Sequence, residues 1–315
     1  MSRADWLSRP ERGSLMLVRL LAWLTLRTGR TIARLFLYPI CLYFMIFSRG
    51  TSAISRRFLE RVLERPAGWR DVFRHYHAFA STIHDRVYLL AGRHHYFEIQ
   101  TEGLAAVETY LSRRQGILLF GSHLGSFEVL RALGLFERKL PISVVMHEGA
   151  AAKLNSVLHG LCPDIRDHII PPGSPDTMLM VKERLEQGHL VGILADRVLC
   201  GDRTVSCPFL GQATLFPEGP FQLAALLQVP VLLFFGFYEG GRRYSIRFET
   251  FADPIPYDRT RRSDSLREWI GRYAARLEYH CRRYPYNWFN FYELSDDSAL
   301  ESVPDRARTW AERHG

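Results

Sequence analysis

Cysteine is scarce in this 315-residue chain, and its spacing is irregular. The five cysteines stand at positions 41, 162, 200, 207 and 281. An odd number of scattered cysteines is not typical of a disulfide framework and favours a reducing compartment. Cys200 and Cys207 are too far apart for a zinc knuckle, and no histidine stands at a ligating interval from them. We therefore predict neither a metal nor another cofactor.

Long apolar runs are also missing, because none reaches the roughly 20 residues that a transmembrane helix needs. Residues 15–26 are apolar apart from Arg19 and Thr25, and residues 35–47 form an unbroken apolar run. We predict two interfacial helices, or a hairpin that enters one leaflet. A tilted span over residues 31–47 and a helical cap packed on the main domain are the alternatives. No small-residue cleavage site follows these runs, so a secretory signal is not expected.

Lysine is nearly absent, with residues at positions 139, 153 and 182 only, so arginine supplies the positive charge. Residues 1–75 hold 14 Arg against 5 acidic residues, and this quarter of the chain accounts for the net charge of +8. Such a surface suits nucleic acid or anionic lipid. The apolar runs beside it favour lipid. We expect an anionic membrane surface as a partner and no nucleic acid.

The hydrophobic pattern changes along the chain. Residues 52–92 have helical spacing with a break at residues 66–68. From residue 116, strand-like runs (117–120, 142–146, 190–194, 229–235, 244–248) alternate with helical segments (127–135, 178–185, 221–227). This alternation predicts an α/β fold with a largely parallel sheet flanked by helices. We expect residues 1–50 to be helical and membrane-associated, residues 51–295 to form the α/β domain, and residues 296–315 to be a polar tail.

The first apolar run leads through Gly121 and Ser122 to His123, and Glu128 follows five residues later. In one continuous helix the two side chains would lie about 140° apart. If residues 121–125 form a turn instead, Glu128 can reach back across the first helical turn to His123. A carboxylate on one ring nitrogen leaves the other free to remove a proton from an alcohol. A purely structural pair has the same spacing, since the motif alone is weak.

Three further segments are candidates for the site. The run 190–194 leads into Asp196 and Arg197 at the same expected edge of the sheet, although a surface ion pair is an alternative. Residues 207–220 form a Pro- and Gly-rich loop that suits an apolar ligand, a lipid edge or an ordinary buried connection. Residues 286–292 are an aromatic run, either core or the lining of a membrane-facing pocket.

The order of these motifs resembles the bacterial lipid A biosynthesis acyltransferases of the lauroyl and myristoyl type, within the wider lysophospholipid acyltransferase-like group. The motifs are the basic apolar N-terminus, His123 to Glu128, Asp196, residues 208–211 with Gly219 and Pro220, and Pro285 with Trp288. The resemblance covers nearly the whole chain. It implies transfer of a fatty acyl group from an acyl carrier protein thioester to a hydroxyl of a lipid acceptor, a lipid A precursor or a related lipid. The implied location is the cytoplasmic face of the inner membrane.

By this resemblance His123 is the general base and Glu128 orients it, while the acceptor hydroxyl attacks the thioester directly without an acyl-enzyme. No cysteine stands beside the pair to act as a nucleophile. Backbone amides, Arg197 or Arg203 are the candidate donors to the developing oxyanion. The predicted substrate-binding residues are Ser122, Asp196, Arg197, Arg203, Gly219 and Pro220.

Two other functions remain open from the residues. One is a lysophospholipid acyltransferase that uses acyl-CoA, in which arginines would bind the acceptor phosphate because lysines are few. The other is a non-catalytic membrane scaffold that recruits carrier protein through the basic N-terminus. A scaffold would be indifferent to changes at residues 123 and 128.

Overall fold

The computed structural model describes residues 15–132, 140–146, 168–173, 175–198, 201–256 and 262–292, together with Gly134 and Gly160. The expected polar tail, residues 296–315, lies outside these ranges. Five helices come first: α1 (Leu15–Thr28), α2 (Arg30–Leu35), α3 (Leu37–Phe47), α4 (Arg49–Leu63) and α5 (Trp69–Leu90). The predicted break at residues 66–68 therefore separates α4 from α5.

The predicted apolar N-terminal segment is helical. Within the described ranges, Arg30–Phe47 is the one stretch that is long and apolar enough to cross a membrane by length and composition. It is 22% buried inside the protein. Leu37 and Cys41 of this stretch are buried, whereas Phe36, Tyr43 and Phe47 are exposed. The segment thus packs on the domain with one face and leaves an apolar face uncovered.

Two of the N-terminal arginines are used inside the protein. Arg30 donates from Nε and Nη2 to the two carboxylate oxygens of Asp85 on α5, at 2.9 and 2.8 Å. The Tyr244 hydroxyl donates to the same carboxylate at 2.8 Å. Arg34 donates to the Tyr238 hydroxyl at 2.6 Å. These contacts tie α2 to α5 and to the sheet, so Arg30 and Arg34 are not free charges for a lipid surface.

A seven-stranded sheet forms the centre of the domain. Its strands lie in the order β1–β9–β8–β2–β5–β3–β4, and every neighbouring pair is parallel except β8–β9. The strands are β1 (Glu98–Glu102), β2 (Ile117–Gly121), β3 (Ile142–Val145), β4 (Ile169–Ile170), β5 (Leu190–Leu194), β8 (Val231–Gly240) and β9 (Arg243–Ala252). The largely parallel α/β fold predicted from the sequence is confirmed.

Helices cover both faces of the sheet. They are α6 (Leu104–Ser112), α7 (Phe127–Ala132), α8 (Pro175–Glu186), α9 (Gly219–Leu227) and α10 (Arg262–Arg283). Every residue of β2 is buried, because β2 is the middle strand and its alternate side chains enter cores on opposite faces. Phe120 packs against Phe221 of α9 and Tyr273 of α10, whereas Leu119 joins the core around Val129 of α7.

The predicted loop over residues 207–220 is largely an antiparallel hairpin, and the expectation of an irregular loop was wrong. Strands β6 (Thr204–Phe209) and β7 (Gln212–Pro217) pair across a turn at Leu210 and Gly211, which both have positive φ. Buried and partly exposed residues alternate along β6, which is the period of a strand with one covered face. Proline and glycine therefore mark the tip and ends of a hairpin here rather than an open loop.

Replacing Asp85 with alanine removes the counterion of the buried Arg30. We expect the free energy of unfolding to fall by about 3–5 kcal/mol, because a buried charge is left unpaired. Glu268→Ala is the control, since its ion pair with Arg272 is exposed and should contribute little. Urea denaturation of both variants measures the difference. Equal losses would contradict a structural role for the Asp85 cluster.

Candidate active site

The turn between β2 and α7 carries His123 at the carboxyl end of the central strand. The Gly125 N–H donates to the Asn287 carbonyl at 2.8 Å, and the Ser126 N–H donates to the Gly236 carbonyl at 2.7 Å. The Phe289 N–H donates to the carbonyl of His123 itself at 2.8 Å. Backbone contacts from two distant segments therefore hold the turn that presents His123.

Asp196 is the carboxylate that contacts the His123 ring. Its Oδ1 lies 2.8 Å from Nδ1 of His123, and its Oδ2 accepts the His123 backbone N–H at 2.8 Å. The two residues meet because β2 and β5 are parallel neighbours with Gly121 opposite Leu194. The residues that follow these strand ends lie at one edge of the sheet, where sites of such folds are usually found.

The surroundings of His123 favour a neutral ring. Burial and the nearby Arg197 guanidinium lower the pKa of His123 below its ordinary value, although Asp196 acts in the opposite direction. Burial opposes ionisation of Asp196, but the contact with His123 keeps the pKa of its carboxyl below the usual range. Because an ionised carboxylate only accepts hydrogen bonds, Nδ1 of His123 carries the proton and Nε2 has a free lone pair.

Glu128, which we expected to orient His123, forms an ion pair on its own helix. It is buried in the first turn of α7, and Nη1 of Arg131 donates to Oε1 at 3.3 Å. The carboxylate on Nδ1 of His123 is that of Asp196, a contact that the sequence analysis did not expect, and the orienting role of Glu128 stays a prediction. Asp196 reaches His123 because the strand order brings the end of β5 beside it, and this depends on pairing that local spacing does not reveal.

Ser122 and Arg197 lie beside the His123–Asp196 pair. Ser122 is buried, and its Oγ accepts the Leu124 N–H at 3.3 Å. Arg197 donates from Nη2 to the Phe289 carbonyl at 3.1 Å, and its guanidinium lies 4.7 Å from the ring centre of Tyr292. The predicted role of Ser122 and Arg197 in substrate binding stays a prediction.

The other three predicted binding residues lie at the base of the β6–β7 hairpin. The Arg203 carbonyl accepts the Glu218 N–H at 2.9 Å, and the Arg203 side chain is exposed. Gly219 and Pro220 form the first turn of α9. Their described contacts close the hairpin and start the helix, and their role in substrate binding stays a prediction.

The aromatic run proves to be core, and it contains a contact that sequence reasoning missed. Trp288 is 1% exposed, and its indole Nε1 donates to Oδ2 of Asp196 at 3.2 Å. His75, which the sequence left without a role, contacts the Trp288 carbonyl through Nε2 at 2.9 Å. Trp288 was among the motifs that carry the resemblance, but no pattern in the sequence indicated its contact with Asp196. No pattern in the sequence singled out His75.

A model of the bacterial lipid A biosynthesis acyltransferases matches residues 4–293 of the chain. The chain belongs to this family. It is therefore an enzyme, an acyltransferase of the lipid A biosynthesis type. A comparison with curated individual proteins finds no significant match.

Gly125 offers a test of how strictly this acyltransferase depends on the turn. Gly125 has a φ of 88°, and a Cβ there would lie 2.1 Å from the Gly236 carbonyl oxygen. We expect Gly125→Ala to lower the rate of acyl transfer by about 10²-fold, since small displacements of a catalytic group have such effects. Radiolabelled acyl transfer into lipid measures the rate.

Gly240→Ala is the matched control for backbone strain. Gly240 has a φ of 100°, but nothing lies within 4 Å of the site that its Cβ would occupy. Both variants therefore introduce a side chain at positive φ, and only the change at Gly125 forces the His123 turn to move. A wild-type rate in Gly125→Ala would contradict the tight coupling of this turn to catalysis.

Proposed function

We propose that the chain transfers a fatty acyl group from an acyl carrier protein thioester to a hydroxyl of a membrane lipid, a lipid A precursor or a related lipid. The observation that carries this proposal is the 2.8 Å contact of Nδ1 of His123 with Asp196 at the carboxyl edge of the sheet, which leaves Nε2 to face a substrate. The His123 side chain is 22% exposed, so a substrate can reach it, whereas the Asp196 side chain is fully buried. This arrangement suits general base catalysis on an alcohol.

Catalysis begins when Nε2 of His123 accepts the proton of the acceptor hydroxyl. The oxygen attacks the thioester carbonyl and forms a tetrahedral oxyanion. The carbonyl then re-forms, the carbon–sulfur bond breaks, and the carrier thiolate takes the proton from His123. Asp196 stabilises the transient imidazolium and keeps the ring oriented, as a carboxylate does in histidine-based acyl transfer. No covalent acyl-enzyme is needed, because the acceptor is the nucleophile.

Arg197 is the stronger of the two arginine candidates for stabilising the oxyanion. It follows Asp196 directly, and its guanidinium acts electrostatically on His123. The Phe289 carbonyl and the Tyr292 ring hold it in place. The exposed Arg203 instead belongs to the base of the hairpin. A positioned cation near the attacked carbonyl stabilises the charge that develops in the transition state.

The exposed apolar face of the N-terminal helices is the proposed membrane contact. It carries large exposed side chains along α1 to α3: Met16, Leu20, Trp23, Ile32, Leu35, Phe36, Tyr38, Leu42, Tyr43, Ile46 and Phe47. Many large apolar side chains exposed on neighbouring helices are unfavourable in water and are typical of membrane or protein contacts. We propose that it enters the cytoplasmic leaflet of the inner membrane, where a soluble, acidic carrier protein can approach the arginine-rich N-terminal region.

Replacing His123 with alanine tests the proposed chemistry. We expect transfer of label from acyl carrier protein thioester into lipid to fall by about 10²–10⁴-fold, because the general base is lost. The variant should still fold and float with anionic vesicles, since the apolar face is unchanged. His95→Ala is the control, because His95 is exposed and remote in sequence from the turn.

Outcomes of this assay separate the alternatives. Undiminished transfer by His123→Ala would contradict the assignment of the base. Faster transfer by the wild-type enzyme from acyl-CoA than from the carrier thioester would contradict the proposed donor. The lipid species that gains the label identifies the acceptor. Failure of the wild-type protein to float with vesicles would contradict the membrane contact.

A further inference from the structure

Trp288 places a third donor on the carboxylate that orients the base. Its indole N–H donates to Oδ2 of Asp196 at 3.2 Å, and this oxygen also accepts the His123 backbone N–H at 2.8 Å. The other oxygen, Oδ1, is left to face Nδ1 of His123 at 2.8 Å. The indole ring is held between Phe58 and Phe209, with ring centres 4.9 and 5.1 Å away.

The backbone of Trp288 is held in turn by a buried histidine. Nε2 of His75 lies 2.9 Å from the Trp288 carbonyl oxygen, and Nδ1 lies 2.8 Å from Oγ of Ser55. Burial lowers the pKa of His75 to about 4, so the ring is neutral at physiological pH. Because a carbonyl only accepts, Nε2 carries the proton, and Nδ1 accepts from the Ser55 hydroxyl.

We propose that Trp288 is a positioning residue for acyl transfer, which sets the orientation and basicity of the Asp196–His123 pair through its indole N–H, with His75 and Ser55 anchoring its backbone. This inference rests on the proposed function of His123 as the base. It assigns a chemical role to a buried side chain for which the sequence analysis gave none.

The direction of the effect follows from the hydrogen bonds. A donor to an ionised carboxylate stabilises its charge and weakens it as an acceptor for other partners. Without the indole N–H, Asp196 would bind the imidazolium form of His123 more strongly, and the pKa of His123 would rise. Since the base works as the neutral ring, the acid limb of kcat/KM would move to higher pH.

The other groups that act on the pair are unchanged by a substitution at Trp288. Arg197 and Arg86, on the segment after β5 and on α5, lower the pKa of His123. Asp196 acts electrostatically on Tyr273 and Cys281 of α10, and burial raises the pKa of each well above its usual value, so both stay neutral. A shift in the His123 titration therefore reports the lost indole donor.

Trp288→Phe in the full-length protein is the direct test. The titration of His123 is followed by NMR of ¹³Cε1-labelled histidine, assigned by comparison with His123→Gln, and the pH profile of kcat/KM is measured in parallel. We expect the pKa of His123 and the acid limb to rise together by about half a unit to one unit. An unchanged His123 titration would overturn the proposal.

Two further substitutions separate positioning from packing. Phe58→Leu loosens the contact with the Trp288 ring and leaves the indole N–H on Asp196, so it should lower thermal stability without moving the His123 titration. Benzothienylalanine at position 288 keeps the shape of tryptophan without the N–H, and it should reproduce the shift even if Trp288→Phe folds poorly. A shift with Phe58→Leu and none with benzothienylalanine would contradict the proposal.

The substitutions His75→Gln and His75→Leu test whether His75 holds the backbone of Trp288. Glutamine keeps an amide donor for the Trp288 carbonyl, and leucine removes it. We expect His75→Leu to lower kcat more than His75→Gln does, with KM unchanged, and equal losses would contradict the anchoring role. Failure of the proposed function is distinguishable, because the NMR titration of His123 requires no turnover.

Discussion

The turn that follows the central strand is buried, and buried backbone groups must find hydrogen-bond partners. This turn is too short for its backbone groups to hydrogen-bond to one another, so they bond to other segments. The Asn287 carbonyl accepts from Gly125, the Gly236 carbonyl accepts from Ser126, and the Phe289 N–H donates to His123. The orientation of His123 is therefore fixed by segments more than a hundred residues away. The site forms only when the sheet and residues 287–289 are in place.

Asp196 needs hydrogen-bond partners even more than the buried backbone does, because it carries a charge. Its side chain is fully buried, and burying an ionised carboxylate is costly unless donors surround it. The His123 backbone, the His123 ring and the Trp288 indole are its hydrogen-bond partners. The hydrogen bonds that stabilise the Asp196 charge also orient its carboxylate toward Nδ1 of His123. Stability of the buried charge and orientation of the His123 ring thus depend on the same set of hydrogen bonds.

The hydrophobic pattern of the sequence predicted the strands and turns, because these depend on residues that are neighbours in the chain. An apolar run ending in Gly121 and Ser122 indicated a buried strand and a turn, and alternation of runs indicated a parallel sheet. The partner of His123 could not be found this way, because Asp196 reaches it through the pairing of β2 with β5. The sequence places Arg30 in a basic region that suits a lipid surface, whereas its guanidinium is buried against Asp85, 55 residues along the chain. Trp288 contacts the site only because residues 287–289 cross the turn.

The central claim is that Asp196, rather than Glu128, orients His123 for proton abstraction. The most direct measurement is the pH dependence of kcat/KM for acyl transfer in Asp196→Asn and Glu128→Gln. Because the Asp196 carboxylate raises the pKa of His123, Asp196→Asn should lower the rate by about 10²–10⁴-fold and move the acid limb to lower pH. Glu128→Gln should leave the acid limb in place. A shift of the limb in Glu128→Gln, with none in Asp196→Asn, would contradict the account.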